Sequence, residues 1–217
     1  MRPLALLAVV TVAGSVALGA QAPQVPPAAE LASRIQTRYA TVQDFTADFT
    51  QTLTSALLSK PETVRGLLKV KKPDRMRWTY TSGDKNVFVA DGSRFYMYYP
   101  RDRYVQEQKL PEPSRSSTAL LFLAGRANLA RDFVPGLPPR QPASEWRLML
   151  APRTQPADFK TIAVDVDRAS YALRGFEVTD EDGGVSAFRF TNIRENQKLP
   201  DADFVFVIPK GVEVRRQ

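Results

Sequence analysis

Residues 66–80 read GLLKVKKPDRMRWTY. Leu68 and Val70 alternate with Lys69 and Lys71; Met76, Trp78 and Tyr80 alternate with Arg75, Arg77 and Thr79. Alternation with a period of two sends successive side chains to opposite sides of a strand. The stretch therefore reads as two half-buried antiparallel strands, each with one greasy and one charged face.

Working outward, Phe45, Ala47 and Phe49 alternate with Thr46, Asp48 and Thr50, a third strand of the same kind. Upstream of it Leu31, Ile35, Tyr39 and Val42 recur at helical spacing, and Arg34 and Arg38 lie on another face. This predicts a helix from Ala28 to Tyr39. Downstream, Asp91-Gly92 separates two apolar runs, 87–89 and 95–98, which signals a tight hairpin. A strand at 104–106 follows. Pro111 and Pro113 then interrupt the pattern. Ser116 or Ser117 can cap a helix over 118–124, with Gly125 at its end. Its Leu120, Leu121, Phe122 and Leu123 are apolar almost all round, so this helix must be covered on both sides. A short turn at 127–133 and a Pro-rich connector at 136–142 lead to more strands. These carry Trp146, Leu148 and Leu150; Ile162, Val164 and Val166; Leu173, Phe176 and Val178; and Phe188 and Phe190. Gly175 marks a bulge, and Gly183-Gly184 a turn. Phe204, Phe206 and Ile208 read as the last strand.

The sum is ten or eleven strands with two or three short helices, an α+β chain that is mainly β. So many antiparallel strands in one domain curl strongly. An incompletely closed sheet has an apolar concave face, and the helices either cover that face or fill it as ordinary core. The pattern leaves both arrangements open.

The N-terminus reads as an export signal. Arg2 is followed by an apolar stretch from Leu4 to Val12, and Ala20-Gln21-Ala22 fits a small-x-small cleavage site. Residues 1–22 are expected to be removed, leaving a single domain at 23–217. No second long apolar run follows. The chain carries a net charge of +7 and has no His and no Cys. The missing residues exclude Ser-His-Asp and Cys-His catalytic sites, histidine-ligated zinc and disulfides. No cofactor motif is present, and no enzyme activity is expected. Asp165 and Asp167, the run 180–182, and Asp201 and Asp203 are the acidic groups left for chemistry. The basic residues are scattered among the strands, and export removes nucleic acid as a partner. Positive charge in the envelope fits acidic proteins, anionic head groups, or solubility alone.

Four segments carry a resemblance to a known family: 45–52 (FTADFTQT), 66–78, 89–96 (VADGSRFY) and 204–214 (FVFVIPKGVEV). In this order, behind a signal peptide, they resemble the outer-membrane lipoprotein carrier family, LolA. The resemblance implies an incomplete antiparallel barrel of about eleven strands, with helices forming a lid over the concave apolar face. It implies a monomeric periplasmic carrier that shields the acyl chains of lipoproteins. The cargo would come from an inner-membrane ATP-binding-cassette exporter and go to an outer-membrane receptor. The alternative is an envelope sensor or adaptor that does not transport. With that fold, alternation nominates Phe45, Phe49, Leu68, Val70, Met76, Trp78, Val87 and Val89 as cavity lining. Leu120, Leu121, Phe122 and Leu123 become the lid. The family has an arginine before the proline of the second segment, linked to holding the lid closed; this chain has Lys72 before Pro73. Lysine is a point donor without arginine's planar fork, so a looser latch is expected.

Overall fold

The computed structural model describes residues 25–55, 58, 60–110, 123–154 and 159–216. The predicted leader, 1–22, and three predicted lid residues, Leu120, Leu121 and Phe122, lie outside them.

Helix α1 (Ala28–Ala40) buries Leu31, Ala32, Ile35 and Tyr39 along one stripe. Glu30 in its first turn and Arg38 in its last complement the helix dipole. The chain then runs as a meander through β1 (Asp44–Thr54), β2 (Glu62–Lys71), β3 (Arg75–Tyr80), β4 (Val87–Asp91), β5 (Arg94–Tyr99) and β6 (Tyr104–Lys109). The β4–β5 hairpin turns at Gly92, and the Asp91 carboxylate accepts from the backbone N–H of Ser93 and of Arg94, both at 2.8 Å. After a one-turn helix, α2 (Leu129–Asp132), a second meander follows. It comprises β7 (Phe133–Gly136), β8 (Glu145–Pro152), β9 (Thr161–Asp167), β10 (Leu173–Thr179) and β11 (Val185–Glu195). The register shifts between Leu173 and Gly175, the predicted bulge.

Strand β11 returns to pair with β1, and this pairing joins the two meanders into one twelve-stranded sheet. Its order is β12-β6-β5-β4-β3-β2-β1-β11-β10-β9-β8-β7, with β12 spanning Glu213–Arg216. Strands β7 and β12 are its two edges and do not pair, so the barrel stays open. All pairings are antiparallel except β12 with β6, which is parallel.

The structure corrects one predicted strand. Residues 201–204 form a 3-10 turn, and 205–209 lie outside the ladders. Phe204 is buried and Phe206 stacks on Tyr96 at 5.3 Å, whereas Val205 is 57% and Val207 79% exposed. An extended chain lying flat on a surface buries alternate residues just as a strand does, with no ladder bonds required.

One core cluster joins α1, Leu123 to Leu129 and the inner face of the sheet from β1 to β10. Under α1, the side chains of Leu148, Leu150, Val164 and Val166 are fully buried. The helices thus fill this half of the inner face. Farther across the sheet, Tyr80, Phe88, Met97, Val178 and Phe188 pack against the same cluster yet remain half-buried.

Candidate functional site: the aromatic inner face

Directly opposed residues on antiparallel strands share a face. Phe45 opposes Val70, Val70 opposes Met76, and Met76 opposes Ala90. In the next row Ala47, Leu68, Trp78 and Phe88 lie side by side. Phe45, Phe49, Leu68, Val70, Met76 and Trp78 therefore lie together on the inner face, and all six are buried.

Val87 and Val89 are not part of it. They oppose Thr79 and Arg77 and therefore sit on the outer face. The β4 side chains that reach the inner face are Phe88 and Ala90. The sequence of β4, VFVAD, is apolar at both parities, so alternation alone cannot phase it. The signal for Phe88 was its size: a large aromatic ring favours the side with aromatic neighbours.

Those neighbours form a connected cluster. Phe49 meets Trp78 and Tyr80 edge-on, each with ring centroids 5.0 Å apart. Trp78 meets Phe188 at 5.2 Å, Phe188 stacks on Phe176 at 4.6 Å, and Tyr80 meets Phe88 at 5.5 Å. Gly66 makes room for this cluster. A Cβ there would lie 2.5 Å from the Phe49 ring and 2.4 Å from the Thr79 carbonyl oxygen. One polar chain crosses the cluster: the Tyr80 hydroxyl donates to Gln51 Oε1 at 2.7 Å, and Gln51 Nε2 donates to Ser186 Oγ at 2.8 Å. Burial, and next the charge of Tyr99, push the Tyr80 hydroxyl up to about 12, so it is a neutral donor at ordinary pH. Such a surface offers dispersion and hydrophobic contact to an apolar chain, with few polar groups to fix orientation.

Among the described residues, Lys72 is held by Tyr39. Its ammonium donates to the Tyr39 carbonyl at the end of α1 and lies 3.6 Å from the centroid of the Tyr39 ring. The Leu123 carbonyl accepts from the Tyr39 hydroxyl instead, at 2.8 Å. Tyr39 thus links Lys72 to residue 123. Burial lowers its ammonium to about 8, with Glu195 raising it and Arg38 lowering it. Gly125 follows with a positive φ of 79°, and a Cβ there would lie 2.7 Å from the Lys72 stem. The Ala124 carbonyl accepts from the Asp74 backbone N–H at 3.3 Å, and Arg126 donates to the Asp74 carboxylate at 2.6 Å. The segment 123–126 is thereby fastened to the β2–β3 turn and to α1.

The outer face is polar and directional. Lys69 pairs with Asp203 at 2.9 Å, Lys71 with Asp201 at 2.5 Å, and Arg77 donates to the carbonyls of Asp203 and Val205. These basic residues fix the 199–205 segment across β2 and β3, a role that alternation did not reveal. On β8 to β11, Arg147 grips Asp165 through two hydrogen bonds of 2.7 and 2.8 Å, and Arg189 bridges Asp165 and Glu145. Asp167 caps the turn at 168–170 and pairs with Arg174 at 3.0 Å; these bonds hold its carboxyl below the usual range. Asp180 caps the β10–β11 turn through Gly184 N–H at 2.6 Å. These acidic groups have structural partners. Among the described residues no cluster of His, Cys, Asp and Glu could hold a metal ion, and no helix is long and apolar enough to cross a membrane.

Comparison with known proteins agrees with this architecture. Residues 40–207 match the family model described as outer membrane lipoprotein carrier protein LolA. The outer-membrane lipoprotein carrier protein of Chromobacterium violaceum is 29% identical over 215 residues, covering 99% of this chain and 98% of that one. Its counterpart in Nitrosospira multiformis is 30% identical over 168 residues, covering 77% and 80%. In fold, an uncharacterized conserved protein from Thermus thermophilus aligns with a TM-score of 0.53 over 88% of this chain and 99% of that one, at 14% identity.

Proposed function

Because this chain belongs to the outer membrane lipoprotein carrier protein LolA family, we propose that it carries acylated lipoproteins through the periplasm by shielding their acyl chains on its inner face. The exporter of the inner membrane would supply the cargo, and a receptor at the outer membrane would take it.

The observation that carries this reading is the half-buried aromatic patch of an otherwise well-packed inner face. An open sheet edge on either side leaves the barrel able to spread. Each CH₂ taken out of water contributes about 0.8 kcal/mol, so even partial coverage of an acyl chain is favourable. A carrier must also release its load, and a surface of non-directional contacts binds without a rigid lock.

The test is to mix the chain lacking residues 1–22 with a purified acylated lipoprotein and remove the detergent. A soluble stoichiometric complex is expected, recovered as one peak by size exclusion. Precipitation of the lipoprotein at every ratio would overturn the proposal. A fluorescent fatty acid separates this reading from a sensor that binds protein alone, because the greasy face should take it up.

A further inference from the structure

We propose that the Trp78 indole N–H, together with the Tyr80–Gln51–Ser186 chain, forms a polar subsite for the carbonyl groups that link acyl chains to the cargo. This deepens the carrier reading above and rests on it.

Trp78 is only 3% exposed, and its Nε1 has no hydrogen-bond partner among the described residues. A buried donor without an acceptor is uncommon because its hydration is lost with nothing in return. The other tryptophan of the chain obeys the rule: Trp146 Nε1 donates to the Arg168 carbonyl at 3.1 Å. The orphan is therefore a local feature of the aromatic cluster. Phe49 and Phe188 stand edge-on to the Trp78 ring, and neither supplies a conventional acceptor.

The second polar element lies on the same face. Tyr80 follows Trp78 by two residues on β3, and its hydrogen-bond chain runs through Gln51 to Ser186 Oγ. Ser186 accepts there and keeps its own O–H as the free end of the chain. The face thus holds two unused donors, the indole N–H beneath the rings and the Ser186 O–H, in an apolar setting where a hydrogen bond is strengthened by the low dielectric. A bare alkyl chain has no use for them. An ester or amide carbonyl is an acceptor with no proton to give, and it marks the end of every acyl chain. The remaining orphan, Asn86 Oδ1, is an acceptor beside the same strand pair and adds no donor.

The experiment compares two probes: a dipalmitoylglyceryl-cysteine peptide and its dihexadecyl ether analogue, which differ in the two ester carbonyls. One hydrogen bond of ordinary net strength predicts about tenfold tighter binding of the ester by the wild-type protein. With only two tryptophans in the chain, the indole ¹⁵N–¹H resonance of Trp78 is assignable by Trp78→Phe. It should move downfield with the ester and stay in place with the ether. Trp78→Phe should erase the preference. If that variant does not fold, β-(3-benzothienyl)alanine at 78 keeps the shape and lacks the N–H. Equal affinity for both probes, with the same resonance shift, would overturn the subsite and leave the carrier reading standing. Binding of neither probe would overturn both.

Discussion

On the inner side of β3, Met76, Trp78 and Tyr80 meet rings and aliphatic side chains; on the outer side of the same strand, Arg77 holds the carbonyls of Asp203 and Val205, and Arg75 approaches Asp201. The two faces come from one alternating pattern and use different forces. Hydrophobic contact has no preferred direction, so the inner face can rearrange around a guest. Ion pairs and hydrogen bonds are angular, so the outer face fixes how the C-terminal segment crosses the sheet. A sheet braced on one side and adaptable on the other suits a protein that must change its contents without losing its shape.

Breaking the outer brace should cost stability and leave binding by the folded fraction unchanged. Phe204→Ala removes a fully buried ring that pins the crossing segment. A loss of about 3–5 kcal/mol is expected from loss of the ring and the cavity left behind, read by urea unfolding. A change below about 1 kcal/mol would show that the crossing segment is not part of the cooperative fold.

Asp165→Asn comes next. The carboxylate is 1% exposed and answers Arg147 and Arg189, both of which keep access to water. Removing the charge leaves Arg189 with Glu145 and Arg147 with Glu177 as remaining carboxylate partners, so a loss of about 2 kcal/mol is expected, below the range for a fully buried pair. Its affinity for a fluorescent fatty acid should match the wild type. An affinity change of tenfold would mean the two faces are coupled.

Gly66→Ala tests the inner side. The added Cβ must displace the Phe49 ring and the Thr79 carbonyl of the neighbouring strand. Overpacking of this kind costs about 1–3 kcal/mol, and the displaced ring should also alter probe affinity. Loss of stability with unchanged affinity would separate the aromatic cluster from binding.

The smallest effect concerns Lys72. Its ammonium sits at about 8 in the fold, against an ordinary 10.5. Between these values the unfolded chain holds more protons than the folded one, so stability rises with pH across that window. The side chain is half in solvent, so the rise is about 1 kcal/mol or less. Lys72→Met should flatten it, as measured by unfolding at pH 7.5 and 10. An unchanged pH dependence would assign the rise to another group.

Much of the fold was legible because most strands are apolar on one face only. The alternation of 66–80 is such a case, and there the face and the burial agree with the structure. The exceptions share a cause. In β4 both parities are apolar, because Val89 is fully buried on the outer face while Phe88 joins the aromatic cluster on the inner one. Residues 204–208 alternate because they lie flat on the sheet, outside any ladder. The pairing of Lys72 with Tyr39 joins residues 33 apart along the chain, beyond the reach of any local pattern.

By itself the sequence determined the succession of β1 to β6 and of β8 to β11, the helix at the N-terminal side and the exclusion of histidine and cysteine chemistry. Those follow from composition and from the fixed periods of strand and helix, which are properties of the local chain. Only the tertiary structure decided which face of β4 looks inward, what Lys72 holds, and that one indole N–H lies buried without a partner among the described residues. Each of these depends on which distant segments come to lie opposite one another, and register across a sheet is set by partners, not by the strand alone.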